Sequence, residues 1–210
     1  ELVRETLEHY KLQPGDIILT NDPYNGGGTH LSDVSVVEPI FHETRIIGFV
    51  ASRAHWNDIG GAVPLSVQTN AKEIYAEGLI LPVVKLYQGG RLNRGLIDMI
   101  SANIRGSEHQ IGDLKAQLAA AAVGKTRMIE LACKYGPDVL ETSVSQIQDA
   151  AEVLTRRNIA DIPDGEFHGE DFLDDQGHGG PPTRIKVRIV KQLDELEFNF
   201  NGSAPANPSG

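Results

Sequence analysis

A chain of 210 residues, 40% apolar and 23% charged, is long enough to bury a core without disulfides and too apolar for disorder. Nineteen basic residues against 29 acidic ones give a formal net charge of −10, which repels polyanions and excludes nucleic acid as the expected partner. The lone cysteine, Cys133, rules out an internal disulfide framework and points to a reducing, cytoplasmic compartment, and no apolar run reaches the length of a membrane span.

In chain order, residues 2 to 11 suit a short helix closed by Pro14-Gly15. Asp16 to Asn21 reads as a buried strand, and Asp22-Pro23 forces a turn after it. Asn25-Gly26-Gly27-Gly28-Thr29 is a loop, because three adjacent glycines carry too much backbone entropy for regular structure. Val34 to Ile40 and Ile46 to Ala54 are β-rich runs joined by His42-Glu43-Thr44, which predicts a hairpin. Trp56 to Asn70 is loop-like, Leu79 to Tyr87 is an apolar strand, and Asn93 to Ile104 a short helix. Ser107 with Gln110 suggests a capping box, after which Ile111, Leu114, Leu118 and Ala122 recur at helical spacing. Tyr135-Gly136-Pro137 stops that helix and starts the next, whose stripe runs Leu140, Val144, Ile147, Ala151, Leu154.

Two long antiparallel helices are the expected product of that pattern. Cys133 is expected to be buried and inert on the first of them. From Asp161 to Gly180 the chain has seven acids and no lysine or arginine, expected as a solvated hairpin. Thr183 to Val190 and Leu196 to Phe200 are further strands. The fold class is therefore α+β, with β-hairpins in a mixed or antiparallel sheet, the helix pair, and a closing β meander. Residues 1–160 are expected to form a core holding the site loops, and 161–210 to begin a β-rich segment.

Chemistry is concentrated in His30-Leu31-Ser32-Asp33, after the glycine run, and His55-Trp56-Asn57-Asp58, before Ile59-Gly60-Gly61. A strand points positions i and i+3 to opposite faces, so His30 and Asp33 converge only if a turn holds them. The hairpin brings the entry of its first strand beside the exit of its second, and so Asp33 beside His55. Two imidazoles and a carboxylate make a three-ligand site with open positions for manganese, iron(II) or zinc. The other reading is that these histidines satisfy turn backbone groups. Asp22 is either an acceptor for a ligand histidine or an Asx-turn residue. Asp58 offers the same choice, Glu77 is a candidate proton-transfer group, and Arg53, Arg105 and His109 are candidate anion contacts.

Gly15-Asp16, Asn21-Asp22-Pro23-Tyr24, Gly27-Gly28-Thr29-His30 with Asp33, and His55-Trp56-Asn57-Asp58-Ile59-Gly60-Gly61 together resemble the hydantoinase B family. Glu77-Gly78 with Pro82-Val83-Val84-Lys85-Leu86, Asn103-Ile104-Arg105, Gly112-Asp113-Leu114-Lys115-Ala116-Gln117 and Phe198-Asn199-Phe200-Asn201-Gly202-Ser203 extend the resemblance over nearly the whole chain. That family includes N-methylhydantoinase B, the B half of 5-oxoprolinase and a subunit of acetone carboxylase. Its members are longer at both ends, so the resemblance implies a central piece of a larger subunit.

The resemblance implies a metal-bearing B component of an ATP-dependent cyclic-amide hydrolase. Its partner would be an A-type ATPase subunit that binds ATP, and its substrate a small cyclic amide such as hydantoin, N-methylhydantoin or 5-oxoproline. In the acetone carboxylase relatives two histidines and an aspartate hold manganese, and these match His30, Asp33 and His55. Asp58 would orient a ligand, Glu77 would act as acid or base, and Arg105 with His109 would meet the substrate. The alternatives are a ketone carboxylase subunit and a non-enzymatic α+β interaction module.

Overall fold

Four residues, Ile17–Thr20, form the central strand β1 of a five-stranded antiparallel sheet of order β3-β2-β1-β4-β5. The computed structural model describes residues 2–66, 68, 71–174 and 180–205. Strand β2 (Asp33–His42) turns back through Glu43-Thr44 into β3 (Arg45–His55), with Asp33 paired to His55 at the open end. A register shift at Ile40/Phe41 lies at the other end, next to the turn. The expected hairpin is thus present, one residue longer at both outer ends. Helix α1 (Leu2–His9) precedes the sheet.

The expected strand from Leu79 to Tyr87 is shortened: β4 is Val84–Gln88, followed by β5 (Arg91–Leu92). The reason is the buried amide of Asn21. Its Nδ2 donates to the carbonyls of Leu31 (2.8 Å) and Leu79 (2.9 Å), and its Oδ1 accepts from the Leu81 N–H at 2.6 Å. A side chain replaces the ladder there, and Pro82 has no N–H to extend it. A four-residue helix, α2 (Ile74–Glu77), also lies ahead of this segment and carries no periodic signal long enough to read from sequence.

Helix α3 (Arg94–Asn103) is capped by Asn93, whose side chain accepts from the Leu96 N–H. Helix α4 (Ser107–Tyr135) packs on β2, β3 and α3. Its expected capping box does not form. Gly106 occupies the cap position with φ 59°, and Ser107 is the first helical residue. The apolar period holds, but the buried face is Gln110, Leu114, Gln117, Ala121 and Ala132, about one residue out of phase with the expected stripe. Cys133 therefore points outward and is exposed, not buried.

The core behind this helix joins Trp56, Val34, Val36, Leu19, Leu81 and Ile100, all completely or almost completely buried. Lys125 on α4 reaches Glu38 on β2 at 2.5 Å, adding a polar clamp over the sheet.

After Gly136, helix α5 (Pro137–Ala160) begins with proline in its first turn, as expected. None of its described side chains is buried. The chain divides into two compact units, one of residues up to 68 together with 73–140, the other chiefly from residue 141 onward. The second unit holds a three-stranded antiparallel sheet, β6 (Gly165–Leu173), β7 (Thr183–Gln192) and β8 (Glu195–Asn199), in that order.

The acidic stretch is thus largely strand β6, and three of its acids meet basic residues across the ladder. Glu166 meets Arg188 at 2.6 Å, Glu170 meets Arg184 at 2.9 Å, and Asp164 meets Lys191 at 2.6 Å. Asp175 lies outside the described residues. The fold is α+β, and no helix among the described residues is long and apolar enough to cross a membrane.

Candidate metal centre

The open end of the β2–β3 hairpin carries the three candidate ligands. Asp33 and His55 are a cross-strand pair, so their side chains leave the same face of the sheet. His30 is brought in by a turn in which the Asp33 N–H donates to the His30 carbonyl at 3.2 Å. That turn supplies the convergence that an extended strand denies to positions i and i+3. His30 Nε2 lies 3.1 Å from Asp33 Oδ1, and His55 Nδ1 lies 3.4 Å from the same oxygen. The two imidazole centroids are 4.9 Å apart, tilted by 37°. One donor atom from each residue lies within 4.8 Å of the others, the only such group of histidine, cysteine or acidic side chains among the described residues.

Exposure fits a site that must admit a ligand. The His30 and His55 side chains are 46% and 54% exposed, while Asp33 between them is 20% exposed. The Thr29 hydroxyl donates to Asp33 Oδ2 at 3.4 Å, which leaves Oδ1 facing both rings. The donor set suits a divalent transition metal: two neutral nitrogens and one hard anionic oxygen, with open coordination positions.

Residues behind the trio fix its geometry. Trp56, directly after His55, is buried, and its Nε1 donates to Gln117 Oε1 at 3.1 Å. The same glutamine donates through Nε2 to the carbonyls of Val34 (2.9 Å) and Ser52 (3.2 Å). One buried amide of α4 thus ties together the two strand ends that carry Asp33 and His55. Arg53 Nε donates to Ser35 Oγ at 2.8 Å and its Nη2 to the Gly27 carbonyl at 3.0 Å, pinning the glycine loop to the hairpin. Asn21 holds Leu31, next to His30, from the other side.

Asn21, Gln117 and the Trp56 indole do not stand out as site residues in the sequence. The signal they leave is a side-chain amide interrupting an apolar pattern, at the end of β1 and on the inner face of α4.

The remaining candidates lie elsewhere. Asp22 forms an Asx turn, accepting from the N–H groups of Tyr24 (2.8 Å) and Asn25 (3.2 Å) and from Asn25 Nδ2 (2.9 Å). Asp58 is buried and turned into its own loop, where Oδ1 accepts from Gly60 N–H at 2.7 Å and Oδ2 from Leu65 N–H at 2.8 Å. Arg105 closes the same loop, with Nη2 donating to Gly61 O at 2.7 Å and Nη1 to Val63 O at 3.1 Å, 3.4 Å from Asp58 Oδ2. Gln110, with its amide oriented to satisfy both ends, accepts from Asp58 N–H and donates to Gly106 O.

Glycine is required twice in this loop. Gly60 and Gly61 have φ of +87° and +84°, and a Cβ on either would sit 2.5 Å from a carbonyl oxygen, of Asn103 and Glu77 respectively. Glu77 is half-buried at the end of α2, and His109 is exposed in the first turn of α4. Neither they nor Asp58 joins the three-residue group.

Burial pushes the Asp58 carboxyl up. The N–H groups of Gly60, Leu65 and Arg105 and the Arg105 guanidinium outweigh it and hold the carboxyl below the ordinary aspartate range. A depressed folded-state pKa stabilises the fold at pH values above the unfolded-state pKa, and that contribution disappears as pH falls through the folded value. The loop from Asp58 to Ser66 is therefore expected to lose amide protection below about pH 4, where an unfolded aspartate takes up its proton. Hydrogen exchange at Gly60 and Leu65 against pH checks this, and Asp58→Asn should flatten the acid limb of the stability curve.

A family profile described as hydantoinase B/oxoprolinase matches residues 1–210. The chain is 36% identical over 185 residues to the beta subunit of a caprolactamase from Pseudomonas jessenii, covering 88% of this chain and 32% of that protein. It is 34% identical over 210 residues to the B subunit of a putative D-/L-hydantoinase from Pseudomonas sp. strain NS671, covering 97% and 35%. The crystal structure of the ATP-dependent caprolactamase from Pseudomonas jessenii matches 99% of this chain and 35% of its own, with a TM-score of 0.90 at 33% identity. The chain spans about a third of the length of these relatives. On fold, motif order and full-length match, it belongs to the hydantoinase B/oxoprolinase family.

Proposed function

We propose that this chain is the metal-bearing part of a B component in an ATP-dependent cyclic-amide hydrolase, working with an ATP-using A-type partner subunit. The observation that carries the reading is the His30, Asp33 and His55 group at an exposed hairpin end, in a chain whose relatives include the beta subunit of a caprolactamase and the B subunit of a hydantoinase. Small cyclic amides of the hydantoin, 5-oxoproline and lactam type are the proposed substrates. His30 through Nε2, His55 through Nδ1 and Asp33 through Oδ1 are the proposed ligands, because those atoms face one another.

A divalent cation held there, with manganese first in expectation, supplies Lewis acidity toward an amide carbonyl or water. The chain's own contribution is positional. Thr29 orients the Asp33 carboxylate, while Trp56 and Gln117 hold the strand ends in register. Asp58 and Arg105, engaged with each other, keep the Gly60-Gly61 loop folded. Glu77 as acid or base and His109 as an anion contact remain roles to be tested by substitution in the complete complex.

The test pairs metal analysis with turnover. Gentle purification should yield a divalent metal that chelation removes and manganese restores. The subunit combined with its A-type partner should open hydantoin, 5-oxoproline or caprolactam only when ATP is present. Ketone consumption that requires bicarbonate would place the reaction in the carboxylase class instead. Absence of bound metal, of affinity on titration and of turnover would favour an interaction module.

A further inference from the structure

The three-stranded sheet of the second unit is two-faced. Paired residues of an antiparallel ladder point the same way, and successive residues point opposite ways. The register joins Phe167, Ile189 and Phe198 across all three strands, and the same face carries Leu173, Ile185 and Leu196, with Asp171 and Lys191 as its charged exceptions. The opposite face carries the ion pairs Glu166–Arg188 and Glu170–Arg184, with Phe172 and Val190 as its apolar exceptions. That charged face is suited to water.

The apolar face is covered only at the end where Lys191 is buried and Leu196 half-buried; elsewhere Phe198 and Leu173 are 54% and 56% exposed, and Phe167 and Ile185 are exposed as well. Among the described residues from 141 onward, no apolar side chain is buried, so they form no core of their own. A three-stranded sheet is stable only when its apolar face packs against another layer, about 10 Å away.

We infer that the apolar face of β6–β8 is the inner face of a two-layer structure whose second layer is further polypeptide of the same subunit. The length of the relatives selects this occupant over a partner. They carry roughly twice as much additional chain as this one spans, and the caprolactamase crystal structure reproduces the present elements within one longer polypeptide. An intramolecular layer also fits a face whose middle is apolar on all three strands, the composition of a domain interior. The inference is independent of the metal site and survives its failure.

The test uses the subunit as its gene encodes it, expressed without any partner and shown to be monomeric by light scattering. With Phe198→p-benzoylphenylalanine, irradiation should give an internal crosslink to a residue outside positions 1–210 and no species of dimer mass. A crosslink to a second copy, to residues 1–140, or to an added partner only would overturn the inference, as would no crosslink at all. Phe198→Asp should lower the melting temperature of the isolated subunit, while Glu197→Ala, on the charged face, should not. Equal melting of Phe198→Asp and the parent chain would also overturn it.

Discussion

Replacing His55 by alanine is expected to abolish metal retention and cyclic-amide turnover together. Its side chain is 54% exposed and its ring meets Asp33 and the His30 ring, so its loss should leave the core intact and the circular dichroism spectrum unchanged. Removing a residue that merely orients a metal ligand costs about 10–100-fold in affinity or activity, so loss of a direct ligand should exceed about 100-fold. Metal content by elemental analysis and ATP-dependent turnover in the complete complex are the two readouts. A variant that keeps its metal but loses turnover would place His55 outside the coordination sphere. Asp33→Asn should behave similarly, because Asp33 supplies the only negative charge of the trio.

The largest stability effect is expected at Asn21, whose side-chain amide is buried. Asn21→Ala would strand the Leu81 N–H without a partner and leave the carbonyls of Leu31 and Leu79 short of a donor. Each buried polar group left unsatisfied costs about 1–3 kcal/mol, so a loss of roughly 3 kcal/mol or more follows from this one truncation. Chemical denaturation of the metal-free chain measures it, separating the fold from any contribution of bound cation. Because Leu31 adjoins His30, the same variant should also weaken metal binding at temperatures where it remains folded. A cost near that of an ordinary surface substitution would mean that water replaces the amide at no penalty.

These two residues also mark what sequence does and does not disclose. The trio was legible because its members flank glycine-rich turns and because alternating apolar residues defined a hairpin whose open end had to bring Asp33 and His55 together. Asn21 was not legible in that role, because its partners Leu79 and Leu81 are about sixty residues distant and belong to a segment that periodicity alone reads as strand.

Helix α4 teaches the same lesson in phase rather than in length. Its period was evident, but Gln110 and Gln117 turn inward to satisfy Asp58 and the strand-end carbonyls, rotating the buried face away from Cys133. A hydropathy pattern counts glutamine as outward-facing and therefore misplaces that face. Strands β7 and β8 were likewise expected, whereas the acidic stretch read as a solvated hairpin is strand β6, whose pairing with basic residues depends on cross-ladder register.

Every proposed donor to the cation lies between His30 and His55, on one local hairpin and the turn that precedes it. Hairpins close within about 1–10 μs, far faster than residues are added during synthesis at roughly 5–20 per second. The donors can therefore assemble on the nascent polypeptide well before Gln117 leaves the ribosome. On the proposed reading, cation loading and rigid fixation would be separate events in biogenesis, the first available early and the second imposed only when α4 docks.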